Sequence, residues 1–392
     1  MESVVFIAGQ RTPFGAFGGS LKGVSATELS VMAAQGTLNQ IQFSKEQIDH
    51  VIVGNVVQSG SDAAYLPRHV GLKLGLPQST GAYLVNRLCG SGFQSWINGA
   101  QMLLLGEAQA VLAGGVEQMS QVPYVARNVR WGNKMGSMEL EDYMTAALTD
   151  AHVQLPMAMT AENLAEKYGI SKEESDLYSY QSQMRFKKAE EAGVFKSEIT
   201  PVVLQDKKGS LTIDKDEHPR RDAEIEKIRA MKPLFKKEGV VTAASASGIV
   251  DGAAFSLLTT ATQAQKWGVK PLAKVLGWSA VGCDPKIMGI GPVAAIQSVL
   301  KKLNMNLNQM DIVEVNEAFA AQYLAVQKEL QLDSARTNMN GGAIAVGHPL
   351  GASGTRIMNH LVYELHRQNK KYAVGSACIG GGQGIAVVIE RF

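Results

Sequence analysis

The chain has 392 residues and a mass of 42.0 kDa, which is too long for one ordinary hydrophobic core, so two or three domains are expected. A net charge of +2 with 19% charged residues offers no argument for binding to nucleic acid or to a membrane surface. Three cysteines cannot build a paired disulfide framework, and no leader-like segment or apolar run of the ~18 residues that cross a bilayer is seen, so a cytoplasmic protein is expected.

The first half predicts alternating strands and helices. A strand-like run, Val4–Ala8, opens the chain, and the apolar run 51–54 ends in a loop that contains Asn55. The glycine-rich run Cys89–Gly92 follows and leads into a helical stretch to about Leu105 and a strand-like run at 110–115. A reactive side chain at a strand-to-helix turn faces the positive end of the helix, so the pKa of the Cys89 thiol is expected to be lowered.

The middle of the chain, residues 119–240, has no counterpart in the second half. It begins with an aromatic-rich stretch, contains helix-like stretches around 160–168 and 172–192, and ends in a charged stretch over 206–237. We interpret it as an inserted domain. The adjacent Arg220 and Arg221 suit an anionic ligand, while a solvated surface explains the charges equally well.

The second half repeats the first at an offset of about 260 residues. The run at 310–317 matches the earlier strand and its asparagine loop, and His348–Gly354 occupies the place of the Cys89 loop before a helix and a strand. The pattern predicts two similar α/β lobes with chemistry at their seam. We divide the chain into a first lobe (1–118, completed by about 241–270), the inserted loop domain (119–240) and a second lobe (271–392).

Four side chains stand out as candidates for carbon–carbon bond chemistry. Cys89 and Cys378 each precede closely spaced glycines, whose backbone N–H groups can approach a reacting atom. Asn316 follows a buried-type strand, and the backbone of His348 is constrained by Gly347 and Pro349. The third cysteine, Cys283, and the other six histidines show no motif, and no spacing predicts a metal site.

These loops together resemble those of the thiolase family. Four loops of that family appear here in the same order. The nucleophile loop corresponds to Cys89–Gly92, and the Asn-Glu-Ala-Phe loop corresponds to Asn316–Phe319. The Gly-His-Pro loop corresponds to Gly347–Pro349, and the Cys-x-Gly loop corresponds to Cys378–Gly380. Further matches near the start and at 113–120 extend the resemblance over the whole chain. It implies the thiolase fold, two similar α/β/α lobes from an internal duplication plus an inserted α-rich loop domain.

The resemblance also implies the chemistry. Cys89 would carry the acyl group and His348 would accept its proton, while Cys378 would act as the base toward carbon. Asn316 would hold a water, and the Gly380 N–H would complete an oxyanion hole. No cofactor is expected, because the substrates are coenzyme A thioesters: acetyl-CoA, acetoacetyl-CoA and CoA itself. The family's substrate contacts fall on Arg220, Ala243 and Ser247 for CoA, and on Met157, Met288 and Phe319 around the acyl group.

The subgroup that the sequence resembles most is that of the biosynthetic acetyl-CoA C-acetyltransferases, and a homotetramer with a contact in the stretch 119–138 is implied. The chain departs from that subgroup at Pro156, where a histidine is usual, and at Ala244-Ser245, where Gly-Asn is usual. Both departures lie along the acyl and pantetheine path. The alternative is a degradative 3-ketoacyl-CoA thiolase of fatty-acid β-oxidation with a broader range of chain lengths.

Other classes fit the residues less well. Decarboxylating or hydroxymethylglutaryl-type condensing enzymes use one catalytic cysteine, so Cys378 argues against them. A non-catalytic lipid carrier would have lost Cys89 or His348. A nicotinamide-dependent dehydrogenase needs a glycine-rich turn after the first strand, and Arg11-Thr12-Pro13 stands there instead.

Overall fold

A computed structural model describes residues 2–206 and 209–392, so Lys207 and Lys208 of the charged stretch lie outside it. In the first half it contains strands β1 Val4–Arg11, β2 Gly15–Ala16, β3 His50–Gly54, β4 Gly81–Val85 and β5 Ala110–Glu117. The helices there are α1 Ala26–Gln40, α2 Leu66–Leu74 and α3 Ser91–Leu105. Ser25 and Glu28 form a capping box that satisfies the free N–H groups where α1 begins.

The inserted segment contains short elements. Its strands are β6 Tyr124–Val125, β7 Glu141–Asp142, β8 Thr149–Asp150, β9 Leu155–Pro156, β10 Val202–Asp206 and β11 Gly209–Ile213. Its helices are α4 Tyr143–Ala147, α5 Met157–Tyr168, α6 Lys172–Glu191 and α7 Ile225–Arg229. The strands pair with one another in three hairpin-like pairs, and within the described residues none of them joins the central sheet.

The remainder returns to long elements. The strands are β12 Val250–Thr260, β13 Ala273–Gly282, β14 Ile312–Val315, β15 Tyr372–Ile379 and β16 Gln383–Arg391. The helices are α8 Ala261–Lys266, α9 Gly291–Lys302, α10 Ala320–Leu330, α11 Ala343–Val346 and α12 Leu350–Arg367. None of the helices in the described residues is long and apolar enough to span a bilayer.

The central sheet shows the duplication directly. Its order is β14-β15-β16-β13-β1-β12-β5-β3-β4, with β2 paired to β12. β3 runs parallel to β5, which is antiparallel to β12, and β12 is antiparallel to β1. The second half repeats this pattern with β14, β15, β16 and β13. The two halves meet through a short antiparallel pairing of Val5 and Phe6 with Lys274 and Ala273. The predicted pair of similar α/β lobes is confirmed.

Two central helices hold the lobes together. One buried cluster contains side chains of α3 and α12 together with side chains from strands of both halves. A second cluster packs α1 and α2 on strands of the first half, and a third packs α9 and α10 on strands of the second. The helix α3 begins after the Cys89 loop and α12 begins after the His348 loop, so the central pair carries both candidate loops to the seam. The exact domain boundaries stay a prediction.

Candidate active site

The Cys89 loop is a strained turn between β4 and α3. Leu88 has a φ of 47°, in the left-handed region that a leucine occupies at a cost of about 1–3 kcal/mol. The hydroxyl of Ser91 holds the turn, because it donates to the carbonyl of Leu88 at 2.7 Å and accepts from the N–H of Arg87 at 2.8 Å. This turn places the half-buried Cys89 immediately before the start of α3.

The expected lowering of the Cys89 pKa is wrong. Burial raises the pKa of the thiol to about 11, and the negative charge of Glu117 adds to that effect. The N–H of Gly380 faces the sulfur and lowers the pKa, but it does not offset the burial. Cys89 is therefore a neutral thiol in the resting protein and needs a base to become a nucleophile.

Cys378 lies at the buried end of β15, next to Cys89. Burial is the main cause that raises the pKa of its thiol, and the nearby Cys89 and Cys283 raise it further. The chain then turns through Gly381 and Gly382, whose φ values of 78° and 82° require glycine. The turn brings Gly380 back toward the Cys89 loop, so the structure does bring the two predicted thiols together.

Asn316 and His348 form the polar side of the site. The amide Nδ2 of Asn316 lies 3.4 Å from Nε2 of His348. Burial lowers the pKa of His348 to about 3, and the charge of Arg356 contributes. The ring is therefore neutral and has one proton. The other amide atom, Oδ1 of Asn316, is buried, and no group in the described residues donates to it, which suits an acceptor that holds a water.

A buried carboxylate to which the sequence analysis gave no role joins the loop after β3 to the first turn of α12. Glu117, at the end of β5, accepts hydrogen bonds from the N–H groups of Val56, Val57 and Gly351 and from the amide of Asn55, at 2.8–3.2 Å. Gly351 belongs to the first turn after His348. Burial raises the pKa of Glu117 to about 7. The sequence signals for this residue were its place at the end of a buried strand and inside the family-like run 113–120.

The predicted acyl-contact residues surround Cys378 rather than Cys89. Met288 is buried with Cys378 and Ala318, and the half-buried Met157 and Phe319 pack against them. These side chains therefore border the place where the carbon acid would lie. Cys89 belongs to a different apolar cluster that the sequence did not indicate, and its partly buried members include Leu88, Met144 and Leu148. Met144 comes from α4 of the inserted segment.

The predicted CoA contacts are only partly gathered at the site. The N–H of Ser247 donates to the carbonyl of Ala318, beside Phe319, and Ala243 is exposed on the same segment. Arg220 is exposed, and its backbone N–H donates to Gln183 on α6. No hydrogen bond or ion pair joins Arg220 to the four catalytic candidates in the described chain.

His218, which the sequence analysis set aside, connects Arg220 to the site. Its imidazole contacts the carbonyl of Ala345 at 2.8 Å and fills the space beside Gly248, where an added Cβ would lie 2.1 Å from the ring. Gly248 in turn accepts from the N–H of His348. Within residues 2–206 and 209–392, no group of three or more His, Cys, Asp or Glu side chains could hold a metal ion.

Comparison with known families gives matches over nearly the whole chain. Residues 4–262 match the model of the thiolase N-terminal domain, and residues 269–391 match that of the thiolase C-terminal domain. The boundary between the two matches falls in the short connection between β12 and β13, where α8 lies.

Individual relatives also align over their full length. The chain is 56% identical to the human mitochondrial 3-ketoacyl-CoA thiolase, with 100% of this chain and 98% of the relative aligned. It is 44% identical to an acetyl-CoA acetyltransferase of Pseudomonas aeruginosa, with 100% of each covered. A crystal structure of the human mitochondrial 3-ketoacyl-CoA thiolase in complex with CoA superposes with a TM-score of 0.97 at 55% identity, covering 100% of this chain and 98% of that one.

Proposed function

This chain belongs to the thiolase family and is an acyltransferase, and we propose that it cleaves 3-ketoacyl-CoA with CoA to give acetyl-CoA and a shortened acyl-CoA. The observation that carries the proposal is the gathering of two neutral thiols, Cys89 and Cys378, around the paired side chains of Asn316 and His348. Two thiols with separate neighbours suit two separate tasks, nucleophile and proton carrier.

The first half-reaction begins at Cys89. Nε2 of His348 takes the thiol proton, and the sulfur attacks the 3-keto carbon of the substrate. The oxyanion that forms faces the N–H of Gly380, and one such donor typically contributes about 3 kcal/mol to the transition state. The bond between carbons 2 and 3 then breaks, which leaves the acyl group on Cys89 and an acetyl-CoA enolate.

Cys378 completes that half-reaction. Its raised pKa keeps it protonated at rest, so it can give its proton to carbon 2 of the enolate, which is itself held by Nε2–H of His348 and a water on Asn316. Acetyl-CoA leaves and a Cys378 thiolate remains.

In the second half-reaction, that thiolate takes the proton of the incoming CoA thiol. The CoA sulfur attacks the acyl group, and Cys89 regains its proton from His348. The same steps reversed condense two acetyl-CoA molecules.

The range of substrates is proposed from two observations. Identity over the full length is higher with the 3-ketoacyl-CoA thiolase than with the acetyl-CoA acetyltransferase. The apolar cluster that contains Cys89, where the acyl chain would lie, includes Met144, whose flexible side chain can repack around a longer chain. We therefore place the expected range beyond four carbons.

Acetyl-CoA C-acetyltransferase activity restricted to short chains is the second candidate. This candidate is favoured if the acyl chain, rather than the acetyl unit, lies beside Cys378. The space beside Cys378 is narrowed by the side chains of Met157, Met288 and Phe319. Each methylene that does not fit would cost about 1–3 kcal/mol in kcat/KM. The two candidates share the same four catalytic groups.

The deciding measurement is kcat/KM for thiolysis of 3-ketoacyl-CoA with four, six, eight and ten carbons. A flat or rising profile is expected, and a fall of about tenfold or more per two carbons would favour the second candidate. Leu148→Phe should lower the rate with eight carbons more than with four, whereas Leu211→Phe, at an exposed position, should change neither. Absence of thiolysis with every substrate would overturn both.

We also propose self-association, as a homotetramer in the cytoplasm. The segment 124–140 exposes several large apolar side chains, and Trp131 is 89% exposed. A surface of this kind is typical of a protein contact. Three unpaired thiols suit a reducing compartment. Light scattering after size exclusion should give the mass of four chains, and Trp131→Ala should lower it.

A further inference from the structure

The imidazole of His348 has a second polar contact that the reaction described above does not use. Its Nδ1 lies 2.6 Å from Oγ of Ser353, five residues further along and inside α12. Ser353 is 1% exposed. The same hydroxyl lies 3.1 Å from the carbonyl of Pro349, with the geometry of a donor. The serine therefore bridges the ring of His348 and the backbone at the start of the helix.

Which group donates in each of these hydrogen bonds follows from the protons and lone pairs that each group has. A carbonyl oxygen only accepts, so the single hydroxyl proton of Ser353 is directed to Pro349. The serine oxygen is then free to accept the proton on Nδ1 of His348. Nε2, on the other side of the ring, is left without a proton, facing the amide of Asn316 at 3.4 Å. An unprotonated Nε2 is the form of the ring that can take a proton from Cys89.

We propose that Ser353 is a positioning residue for the reaction: its hydroxyl holds the proton of His348 on Nδ1 and turns Nε2 toward the nucleophile. The inference rests on the proposed function, in which Nε2 receives the Cys89 proton. Ser353 thus acts on the imidazole as the third member of a hydrolase triad does, with a neutral hydroxyl in place of a carboxylate. The contacts of its hydroxyl are with the imidazole and the Pro349 carbonyl, so it acts through His348.

A hydroxyl suits this site better than a carboxylate would. The ring has to take up a proton for the moment of attack and give it back, and a permanent negative charge beside Nδ1 would hold the imidazolium too firmly. Burial and the charge of Arg356 already keep the ring neutral at rest. The buried carboxylate of Glu117 accepts from the N–H of Gly351 instead.

A purely structural role is the competing explanation, because Ser353 also forms a hydrogen bond with the helix backbone four residues earlier. The chain offers a matched control. Ser30 in α1 is fully buried, and its hydroxyl donates to the carbonyl of Ala26, also four residues earlier, at 2.8 Å. Ser30→Ala removes the same helix hydrogen bond without a histidine on the other side.

The test measures the reactivity of Cys89 directly, by the rate at which iodoacetamide alkylates it, followed by mass spectrometry of the Cys89 peptide between pH 6 and 10. Ser353→Ala should react about tenfold or more slowly at pH 7, since a general base contributes ~10²–10⁴ and only part of that is lost. Its rate profile should move to higher pH, because the imidazolium that accompanies the thiolate loses an acceptor. Ser353→Thr, which keeps the hydroxyl, should retain most of the rate, and Ser30→Ala should match the parent protein.

A double-mutant cycle locates the effect. If Ser353 acts through His348, Ser353→Ala should have no further effect on alkylation in a His348→Ala background. Ser353→Cys keeps the packing, so its alkylation rate at Cys89 provides the same test if Ser353→Ala does not fold. Equal rates and pH profiles for Ser353→Ala and the parent would overturn the inference, as would an undiminished effect in the His348→Ala background. Failure of the proposed function shows differently, as the absence of CoA-dependent acyl exchange in the parent protein.

Discussion

Gly92 and Gly354 meet backbone to backbone where α3 crosses α12. A Cβ added to Gly354 would lie 2.2 Å from the N of Phe93, and one added to Gly92 would lie 2.6 Å from the N of Thr355. The contact is reciprocal, as expected where two copies of one repeated unit face each other. Because α3 follows the Cys89 loop and α12 follows the His348 loop, this crossing sets how close the two loops come.

A methyl group at this crossing should therefore destabilise the protein. Gly354→Ala is expected to lower the free energy of unfolding by about 2–3 kcal/mol, since backbone atoms, not a flexible side chain, would have to move. Thermal melting measures this loss of stability. Gly71→Ala in α2 is the control, because its Cβ would meet only ordinary contacts at 3.6 Å, and it should leave the melting temperature unchanged or raise it. Equal melting temperatures for the two variants would contradict the prediction.

The two thiols should separate the two half-reactions. Incubation with acetyl-CoA should add one acetyl group to the Cys89 peptide, and Cys89→Ala should abolish that adduct. Cys378→Ala should still form it and retain part of the exchange of labelled CoA into acetyl-CoA, because His348 can replace Cys378 toward the CoA sulfur. Thiolysis and condensation should be lost, because they also need a proton moved to or from carbon. Mass spectrometry measures the acetyl adduct on the Cys89 peptide, and isotope exchange measures the transfer of labelled CoA. An acetyl group found on Cys378, or equal loss of both activities, would reject the assignment.

Asn316 should matter for the enolate more than for acylation. Asn316→Ala removes the buried Oδ1 that has no donor among the described side chains and backbone groups, and with it the position proposed for a water. Losing one oxyanion donor should lower kcat for condensation by about a hundredfold or more. CoA exchange with acetyl-CoA should fall by much less. An equal fall in both rates would show that the amide mainly positions His348.

The sequence predicted which loops would meet, because Asn316 and Cys378 stand at the ends of strands while Cys89 and His348 precede the helices of a repeated unit. The catalytic roles of these four residues stay a prediction. The sequence did not predict the electrostatics. The helix start beside Cys89 indicated a lowered pKa, but burial by side chains from distant segments decides the sign. Leu88, Met144 and Glu117 were missed for a related reason: an ordinary leucine, methionine or glutamate has no local pattern that shows which loop it will contact.

Glu117 should make the thiolate of Cys89 harder to form. Its charge raises the Cys89 pKa, so Glu117→Gln is expected to move the pH midpoint for alkylation of Cys89 downward. The rate of thiolysis should nevertheless fall, because an amide cannot accept all four hydrogen bonds, and Gly351 beside the His348 loop loses its partner. Glu107→Gln, at an exposed position, is the control. An upward shift of the midpoint in Glu117→Gln would contradict the argument.

His360 and Glu198 should make stability depend on pH above neutrality. The two side chains are buried and 2.6 Å apart. Burial alone would lower the pKa of His360, but the charge of Glu198, with smaller contributions from Glu314 and Glu364, outweighs it and raises the pKa from 6.5 to about 9. A pKa that is higher in the folded state means that the folded protein holds the proton more tightly. The resulting stability is complete below about pH 6.5 and is lost as the pH rises through about 9.

The shift corresponds to on the order of 3 kcal/mol. The melting temperature at a fixed scan rate should therefore fall between pH 6.5 and 9, and His360→Gln should have a lower melting temperature at pH 6.5 with a flatter dependence on pH. His152→Gln, at an exposed position, should follow the parent protein. Because Glu198 also lies 3.9 Å from Arg11, its carboxylate keeps one cationic neighbour in the variant, which favours folding of His360→Gln. A parent protein whose melting temperature is constant over this interval would show that His360 is neutral in the fold.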